Sequence, residues 1–179
     1  RHNYHERQQR TLLLKPHLDN RDGEDVIKPR IGGLVAKVDA LVYPDTDLQA
    51  MVEERQQRGE RLDCILVDEA QFLSPEQVRE LCSVADFLDV PVMCYGLRTD
   101  FRGELFPGSA SLMALADDIE ELKTICWCGK KATINARLLD GHVQTEGPQV
   151  QIGGNETYTA LCRKHWALDQ ALPPELARD

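Results

Sequence analysis

The stretch that decides the fold runs from residue 64 to residue 96 and reads CILVDEAQFLSPEQVRELCSVADFLDVPVMCYG. Its two apolar runs, Cys64–Val67 and residues 90–95, are typical of strands that are covered on both faces. Between them a helix is predicted to begin at Ser74, because a capping serine, a proline and a capping-box glutamine follow in order. A strand, a helix and a strand in this order predict a parallel α/β sheet.

The same pattern extends on both sides of this stretch and changes near residue 123. Further strands are predicted at 11–14 and 40–43, and further helices at 47–58 and 110–121. Beyond residue 123 only short strands are predicted, at 133–139 and 149–152. We therefore expect an α/β domain over residues 1–123 and a smaller domain over residues 124–179.

Composition excludes several classes of protein. The 179 residues carry 30 acidic and 21 basic side chains, a net charge of -9, which argues against a protein that coats nucleic acid. No apolar run approaches the roughly 20 residues of a membrane span. Cys64, Cys82 and Cys94 stand singly in apolar segments, as buried cysteines do in a reducing compartment.

An acidic pair, Asp68 and Glu69, directly follows the apolar run at 64–67. Ligands of open parallel sheets bind beyond the carboxyl ends of the strands. Carboxylates at that edge could hold Mg²⁺ or accept a proton, as in enzymes that transfer phosphoryl groups. The alternative is that both are solvated carboxylates, and the pair alone does not decide.

Four residues in the C-terminal part have the spacing of a metal site. Cys126 and Cys128 form one pair, and Cys162 and His165 form another further along the chain. Zinc binds four such ligands in a tetrahedron, and four protein ligands close the coordination sphere, which predicts a structural site. The alternative is a chance grouping of thiols. His142 lies beside a glycine in a predicted turn, and we expect a solvated side chain there.

Two further segments could contact a ligand. Residues 96–106 follow a strand end, and their arginines and aromatic rings suit an anionic ligand with a planar ring. Equally, Phe101 and Phe106 could simply pack in the core. The glycine pair in residues 152–158 permits a close backbone approach, although a hairpin turn has the same sequence pattern.

Together these segments resemble the type II thymidine kinases, and most closely the enterobacterial form. The residues that carry the resemblance are DEAQF at 68–72, CYGLRTDFRGELF at 94–106, LKTICWCG at 122–129, IGGNETY at 152–158 and CRKH at 162–165. The resemblance extends over nearly the whole chain, to about residue 168.

The resemblance implies a fold and an activity. The fold is a RecA-like P-loop domain of α/β class with a parallel sheet, followed by a small zinc-binding lasso domain. The activity is transfer of the γ-phosphoryl group of ATP to the 5′-hydroxyl of thymidine or deoxyuridine, giving dTMP and ADP for DNA synthesis by nucleotide salvage. It further implies Mg²⁺ and a structural Zn²⁺, feedback inhibition by dTTP, a homotetramer and a cytoplasmic location.

The resemblance also implies roles for individual residues. Glu69 corresponds to the general base, Asp68 to the residue that holds Mg²⁺, with Gln71 beside it in the cofactor site, and Arg21 to the arginine near the transferred phosphate. The implied thymidine pocket consists of Leu97, Phe101, Phe106, Asn135, Val150, Ile152, Gly153, Gly154 and Tyr158.

Two departures accompany the resemblance. The P-loop pattern G-x-x-x-x-G-K-[ST] does not occur in these 179 residues. We expect it upstream of Arg1, and a chain that began at Arg1 would be inactive. Asp22 stands where relatives usually carry an aromatic residue. The missing P-loop favours an alternative, a non-catalytic zinc-ribbon module that binds protein or nucleic acid, but the acidic charge and the Asp68–Glu69 pair oppose it.

Overall fold

The computed structural model describes residues 1–18, 26–27, 35–150 and 157–173 of the chain. The chain forms two compact units, one of Arg1–Leu97 with Pro107–Ala116 and one of Arg98–Phe106 with Asp117–Asp179. The domain boundary near residue 123 stays a prediction. Among the described residues, no helix has both the length and the apolar character that crossing a bilayer requires.

A parallel sheet forms the centre of the first unit. In chain order the elements of this unit are α1 (His2–Glu6), β1 (Thr11–Pro16), β2 (Val26–Ile27), β3 (Ala36–Lys37), β4 (Ala40–Val42), α2 (Leu48–Gln57), β5 (Cys64–Val67), α3 (Pro75–Leu88), β6 (Val92–Cys94) and α4 (Pro107–Leu115). The parallel strands lie in the order β4-β1-β5-β6. Both inner strands, β1 and β5, are buried along their whole length. This confirms the predicted α/β class.

Two helices cover the core of this sheet, and both begin where the sequence predicts. The Asp47 carboxylate accepts the N–H of Ala50 at the start of α2. The start of α3 has a complete capping box, with Ser74 and Gln77 bonding each other's backbone N–H groups.

Buried aliphatic side chains stabilise the first unit, and each fully buried one contributes about 1.5–3 kcal/mol to the free energy of unfolding. The core is formed by Leu12, Leu14, Val42, Leu48, Val52, Ile65, Val67, Ala70, Leu73, Val78, Leu81, Val84 and Val90.

Helix α4 differs from its prediction. It begins at Pro107 and ends at Leu115, whereas the sequence predicts a helix over 110–121. Proline fits the first turn of a helix, because backbone N–H groups there have no partner within the helix and its lack of an N–H costs no hydrogen bond. The acidic residues Asp117 and Asp118 would be unfavourable in a last turn, because the C-terminal end of a helix carries partial negative charge.

The second unit is mainly antiparallel. Its elements are β7 (Thr124–Ile125), β8 (Lys131–Ala132), β9 (Ile134–Leu139), β10 (His142–Val143), β11 (Thr157–Leu161) and α5 (Arg163–Ala167). Strand β9 lies between β10 and β11, and β7 pairs with β8. Residues 149 and 150 are not in a strand, and the rest of the strand predicted at 149–152 lies outside the described residues.

Candidate active site and metal centre

An acidic turn, residues 68–71, follows the buried strand β5. Its backbone is held at both ends, since the N–H of Asp68 donates to Leu14 and the N–H of Ala70 donates to Tyr95. Glu69 has a left-handed backbone, with φ 50° and ψ 38°, and precedes a short 3-10 helix, Ala70–Phe72. Few residues with a side chain adopt this conformation. Gln8, Asp89, Asp140 and Asp169 also have a positive φ, so the conformation alone does not mark an active site.

Gln71 fixes the Glu69 side chain. It is 1% exposed, and its amide N–H donates to the Glu69 carboxylate. The oxygen of the same amide accepts the backbone N–H of Leu97 at 3.1 Å. One buried side chain thus links the glutamate after β5 to the segment after β6. The assignment of Gln71 to a cofactor site stays a prediction.

Two glycines lie against the acidic turn. A Cβ added at Gly96 would lie 2.5 Å from the Gln71 side-chain oxygen, and one at Gly108 would lie 2.6–2.8 Å from backbone oxygens of Ala70, Gln71 and Leu73. Real Cβ atoms essentially never approach other atoms this closely. Sequence reasoning did not single out Gly108, because its contact depends on how α4 packs.

The residues predicted to form the thymidine pocket fall in both units. Leu97 belongs to the first unit and is exposed, whereas Phe101, Phe106, Asn135, Val150 and Tyr158 belong to the second. Phe101 and Phe106 are buried and Tyr158 is 39% exposed. Arg21, Ile152, Gly153 and Gly154 lie outside the described residues.

Asp100 anchors the segment that carries Phe101. Its carboxylate accepts hydrogen bonds from the backbone of Arg102 and Glu104 and from the side chains of Arg102 and Gln149. Burial opposes its ionisation, but bonds from Glu104, Gln149 and Arg102 outweigh that effect and hold its pKa below the usual value. The indole N–H of Trp166 donates to the Phe101 carbonyl at 3.0 Å, which ties the same segment to α5.

The four predicted metal ligands lie together in the second unit, and we call them the metal cluster. The ligand atoms of Cys126, Cys128, Cys162 and His165 all lie within 4.8 Å of one another. His165 Nδ1 is 3.4 Å from Cys126 Sγ and 3.5 Å from Cys162 Sγ, and Cys128 Sγ is 3.9 Å from Cys162 Sγ. Tetrahedral zinc with Cys and His ligands gives ligand–ligand distances of roughly 3.5–3.8 Å. The cluster therefore fits zinc.

Neighbouring groups act differently on the individual ligands of the cluster, and the pKa of the Cys128 thiol is raised, in part by the adjacent Cys126 and Cys162 thiols. The backbone N–H of His165 holds the pKa of the Cys162 thiol below its usual value. Gly129 follows the first cysteine pair with φ +80°, a conformation that suits glycine. Trp127 stacks on the His165 ring with centroids 4.1 Å apart. His142 does not belong to this group: its side chain is exposed, as expected, and its Nδ1 lies 2.7 Å from the Asp169 carboxylate.

Comparison with known proteins identifies the family. The thymidine kinase family model matches residues 1–166. The chain belongs to the thymidine kinase family. A thymidine kinase of Ruegeria pomeroyi is 55% identical over 166 residues, covering 92% of this chain and 82% of that protein. A thymidine kinase of Xanthomonas axonopodis pv. citri is 53% identical over 164 residues, covering 90% and 77%. One of Legionella pneumophila is 48% identical over 172 residues, covering 95% and 81%.

Family membership confirms the resemblance drawn from the sequence. The matched range covers the first unit and most of the second, and it includes the acidic turn and all four residues of the metal cluster. The individual residue roles are not tested by these comparisons and stay predictions.

Proposed function

We propose that the protein is a thymidine kinase that transfers the γ-phosphoryl group of ATP to the 5′-hydroxyl of thymidine or deoxyuridine. The observation that carries this proposal is the match to thymidine kinases over residues 1–166. The products would be dTMP and ADP, as in nucleotide salvage for DNA synthesis. Phosphoryl transfer depends on positioning and charge neutralisation more than on covalent catalysis, and a rigid acidic turn suits that requirement.

Glu69 is the proposed general base that accepts the proton of the 5′-hydroxyl. Its support is its position two residues after the inner strand β5 and the buried amide of Gln71 that holds its carboxylate. A base must lie at a fixed place relative to the hydroxyl it deprotonates, and a side chain with a fixed partner meets that condition. Gln71 is proposed to belong, with Asp68, to the cofactor site.

Asp68 is proposed to hold Mg²⁺, which would neutralise charge on the phosphates of ATP when bound. A half-buried carboxylate at the carboxyl end of a parallel strand has the ligand chemistry that Mg²⁺ requires. Arg21 is proposed to lie near the transferred phosphate. The thymidine pocket is proposed to include Leu97, Phe101, Phe106, Asn135, Val150, Ile152, Gly153, Gly154 and Tyr158.

The metal cluster is proposed to bind one structural Zn²⁺. Four protein ligands leave no open position for substrate or water, so the metal would hold the chain rather than take part in phosphoryl transfer. We further propose a homotetramer with dTTP as feedback inhibitor. The proposed location is the cytoplasm, where thiols stay reduced and free to bind metal.

Thymidine phosphorylation with ATP and Mg²⁺ tests the proposal. The assay uses the full-length protein. The Glu69→Gln variant should lose at least about 100-fold in kcat, since the amide keeps the shape but cannot accept the proton. Glu76→Gln is the matched control, because Glu76 is exposed on α3 and pairs only locally with Arg79 among the contacts described.

Each outcome has a distinct meaning. Loss of turnover in Glu69→Gln with unchanged melting temperature and metal content supports Glu69 as the base. Wild-type turnover in that variant removes Glu69 from this role. If the unmodified protein is folded and metal-loaded but phosphorylates no thymidine, the kinase proposal fails and the zinc-ribbon binding module becomes the better account.

A further inference from the structure

A buried arginine, Arg137, lies at the centre of the second unit. It is on strand β9 and only 3% exposed. Charged side chains are almost never fully buried unless they are paired or hydrogen-bonded. No sequence motif marks this residue, and the proposed reaction gives it no role. The groups that contact its guanidinium therefore indicate its role.

Among the described residues, the guanidinium of Arg137 bonds to two separate parts of the chain. Its Nε donates to the Tyr158 hydroxyl at 2.9 Å, which fixes a side chain on the neighbouring strand β11. Its Nη1 donates to the Pro148 carbonyl at 3.1 Å and its Nη2 to the Gln149 carbonyl at 3.4 Å. Tyr158 and the backbone that leads to Val150 are thus held by one planar group.

The same guanidinium packs on a third part of the chain. Arg137 Cζ lies 3.8 Å from the centre of the Phe101 ring, which is a close cation–π contact. Gly147, with φ +120°, passes beside this pair, and a Cβ there would lie 3.8 Å from Arg137 Nη1 and 3.9 Å from Phe101. A bond from Gln149 to Asp100 ties the same two segments together a second time.

We propose that Arg137 is a positioning residue for nucleoside binding, which sets Phe101, Tyr158 and the backbone at Pro148–Gln149 relative to one another. This inference rests on the proposed function, in which Phe101, Val150 and Tyr158 contact thymidine. A guanidinium is a rigid fork whose donors point in fixed directions. A pocket that is ordered before the nucleoside arrives binds more tightly, because binding no longer has to order it.

The conservative variant Arg137→Lys tests this role. Lysine keeps the charge but loses the planar fork and the stacking on Phe101. We expect the KM for thymidine to rise roughly ten- to a hundredfold, with the KM for ATP within twofold and the zinc content unchanged. Arg79→Lys is the control, since Arg79 is an exposed arginine on α3 of the other unit, and all its parameters should stay at wild-type values.

Tyr158→Phe removes the hydroxyl that accepts from Arg137 and provides a second measurement. A severalfold rise in the KM for thymidine is expected, and the double variant should show less than the product of the two single effects, because both disrupt one contact. If Arg137→Lys does not fold, the Tyr158→Phe result decides. Wild-type KM for thymidine in a folded Arg137→Lys protein, or in Tyr158→Phe, would overturn the inference.

Direct binding separates this inference from the proposed function. Thymidine binding by calorimetry is measured beside turnover for every variant. Absence of turnover in the unmodified protein defeats the kinase proposal. A wild-type dissociation constant in Arg137→Lys defeats only the positioning role. Equal weakening of thymidine and ATP binding, with loss of zinc, would mean that Arg137 only stabilises the fold.

Discussion

Substituting Gly108 by alanine would push α4 against the acidic turn. The added Cβ would lie 2.6 Å from the Leu73 oxygen, 2.7 Å from that of Gln71 and 2.8 Å from that of Ala70. Ordinary van der Waals contact begins at 3.4 Å. Either the helix or the turn must therefore move by about 0.6–0.8 Å, and these atoms are backbone, which cannot rotate out of the way.

Two opposing effects decide the size of the change. Alanine is a better helix former than glycine by about 1 kcal/mol, which favours the variant. Overpacking a dense core costs about 1–3 kcal/mol, which outweighs that gain when rigid backbone must shift. A displacement of about 1 Å at a catalytic group can reduce turnover by roughly 100-fold. We therefore expect a modest loss of stability and a much larger loss of kcat.

Steady-state kinetics and thermal unfolding of Gly108→Ala test this reasoning. The control is Ala110→Gly, at an exposed position of the same helix, which should lose about 1 kcal/mol without touching the turn. Reduced kcat in Gly108→Ala, with near-normal kcat in an equally destabilised control, is the expected result. A Gly108→Ala protein with wild-type kcat and an equal or higher melting temperature would refute the argument.

Two other changes test the second unit. The Cys128→Ser variant should lose the metal and melt at a lower temperature, whereas the control Cys82→Ser should keep the metal. Less than half an equivalent of zinc in unmodified, chelator-free protein would contradict the site. The Asp169 bond raises the pKa of His142 above 6.5, and the His142 bond lowers that of Asp169 below 3.8. The ion pair therefore stabilises fully only between about pH 4 and about pH 6.5. Its contribution is lost as pH rises through the raised pKa of His142, and as pH falls through the lowered pKa of Asp169. The melting temperature of Asp169→Asn should differ most from wild type near pH 5–6, and a difference that grows toward pH 8 would contradict this.

Features written in short stretches of sequence could be predicted. The buried strand β5, the capping box of α3 and the acidic pair each depend on residues within a few positions of one another. The metal cluster can also be predicted, because the members of each ligand pair are close in sequence and two such pairs supply the four ligands of a zinc site. The family resemblance rests on the order in which these motifs follow one another along the chain.

Features that depend on packing could not be predicted. Nothing in the sequence around Gly108 indicates that its α-carbon faces three carbonyl oxygens. The burial of Arg137 cannot be predicted from the neighbouring sequence, because its partners Phe101 and Pro148 lie in other segments of the chain. The sequence predicts a helix over 110–121, whereas α4 ends at Leu115, since acidic residues are unfavourable in the last turn of a helix.

The chain has two tryptophans, and one contacts the metal cluster whereas the other contacts the segment of Phe101. The Trp127 ring lies on His165, and the Trp166 indole donates to the Phe101 carbonyl. Indole emission responds to nearby cations and to hydrogen bonding, so the two rings act as separate intrinsic fluorophores. In Trp166→Phe the remaining signal reports metal uptake, and in Trp127→Phe it reports the segment of Phe101. Loading of the metal and ordering of the pocket could thus be followed in one cuvette, without any attached dye.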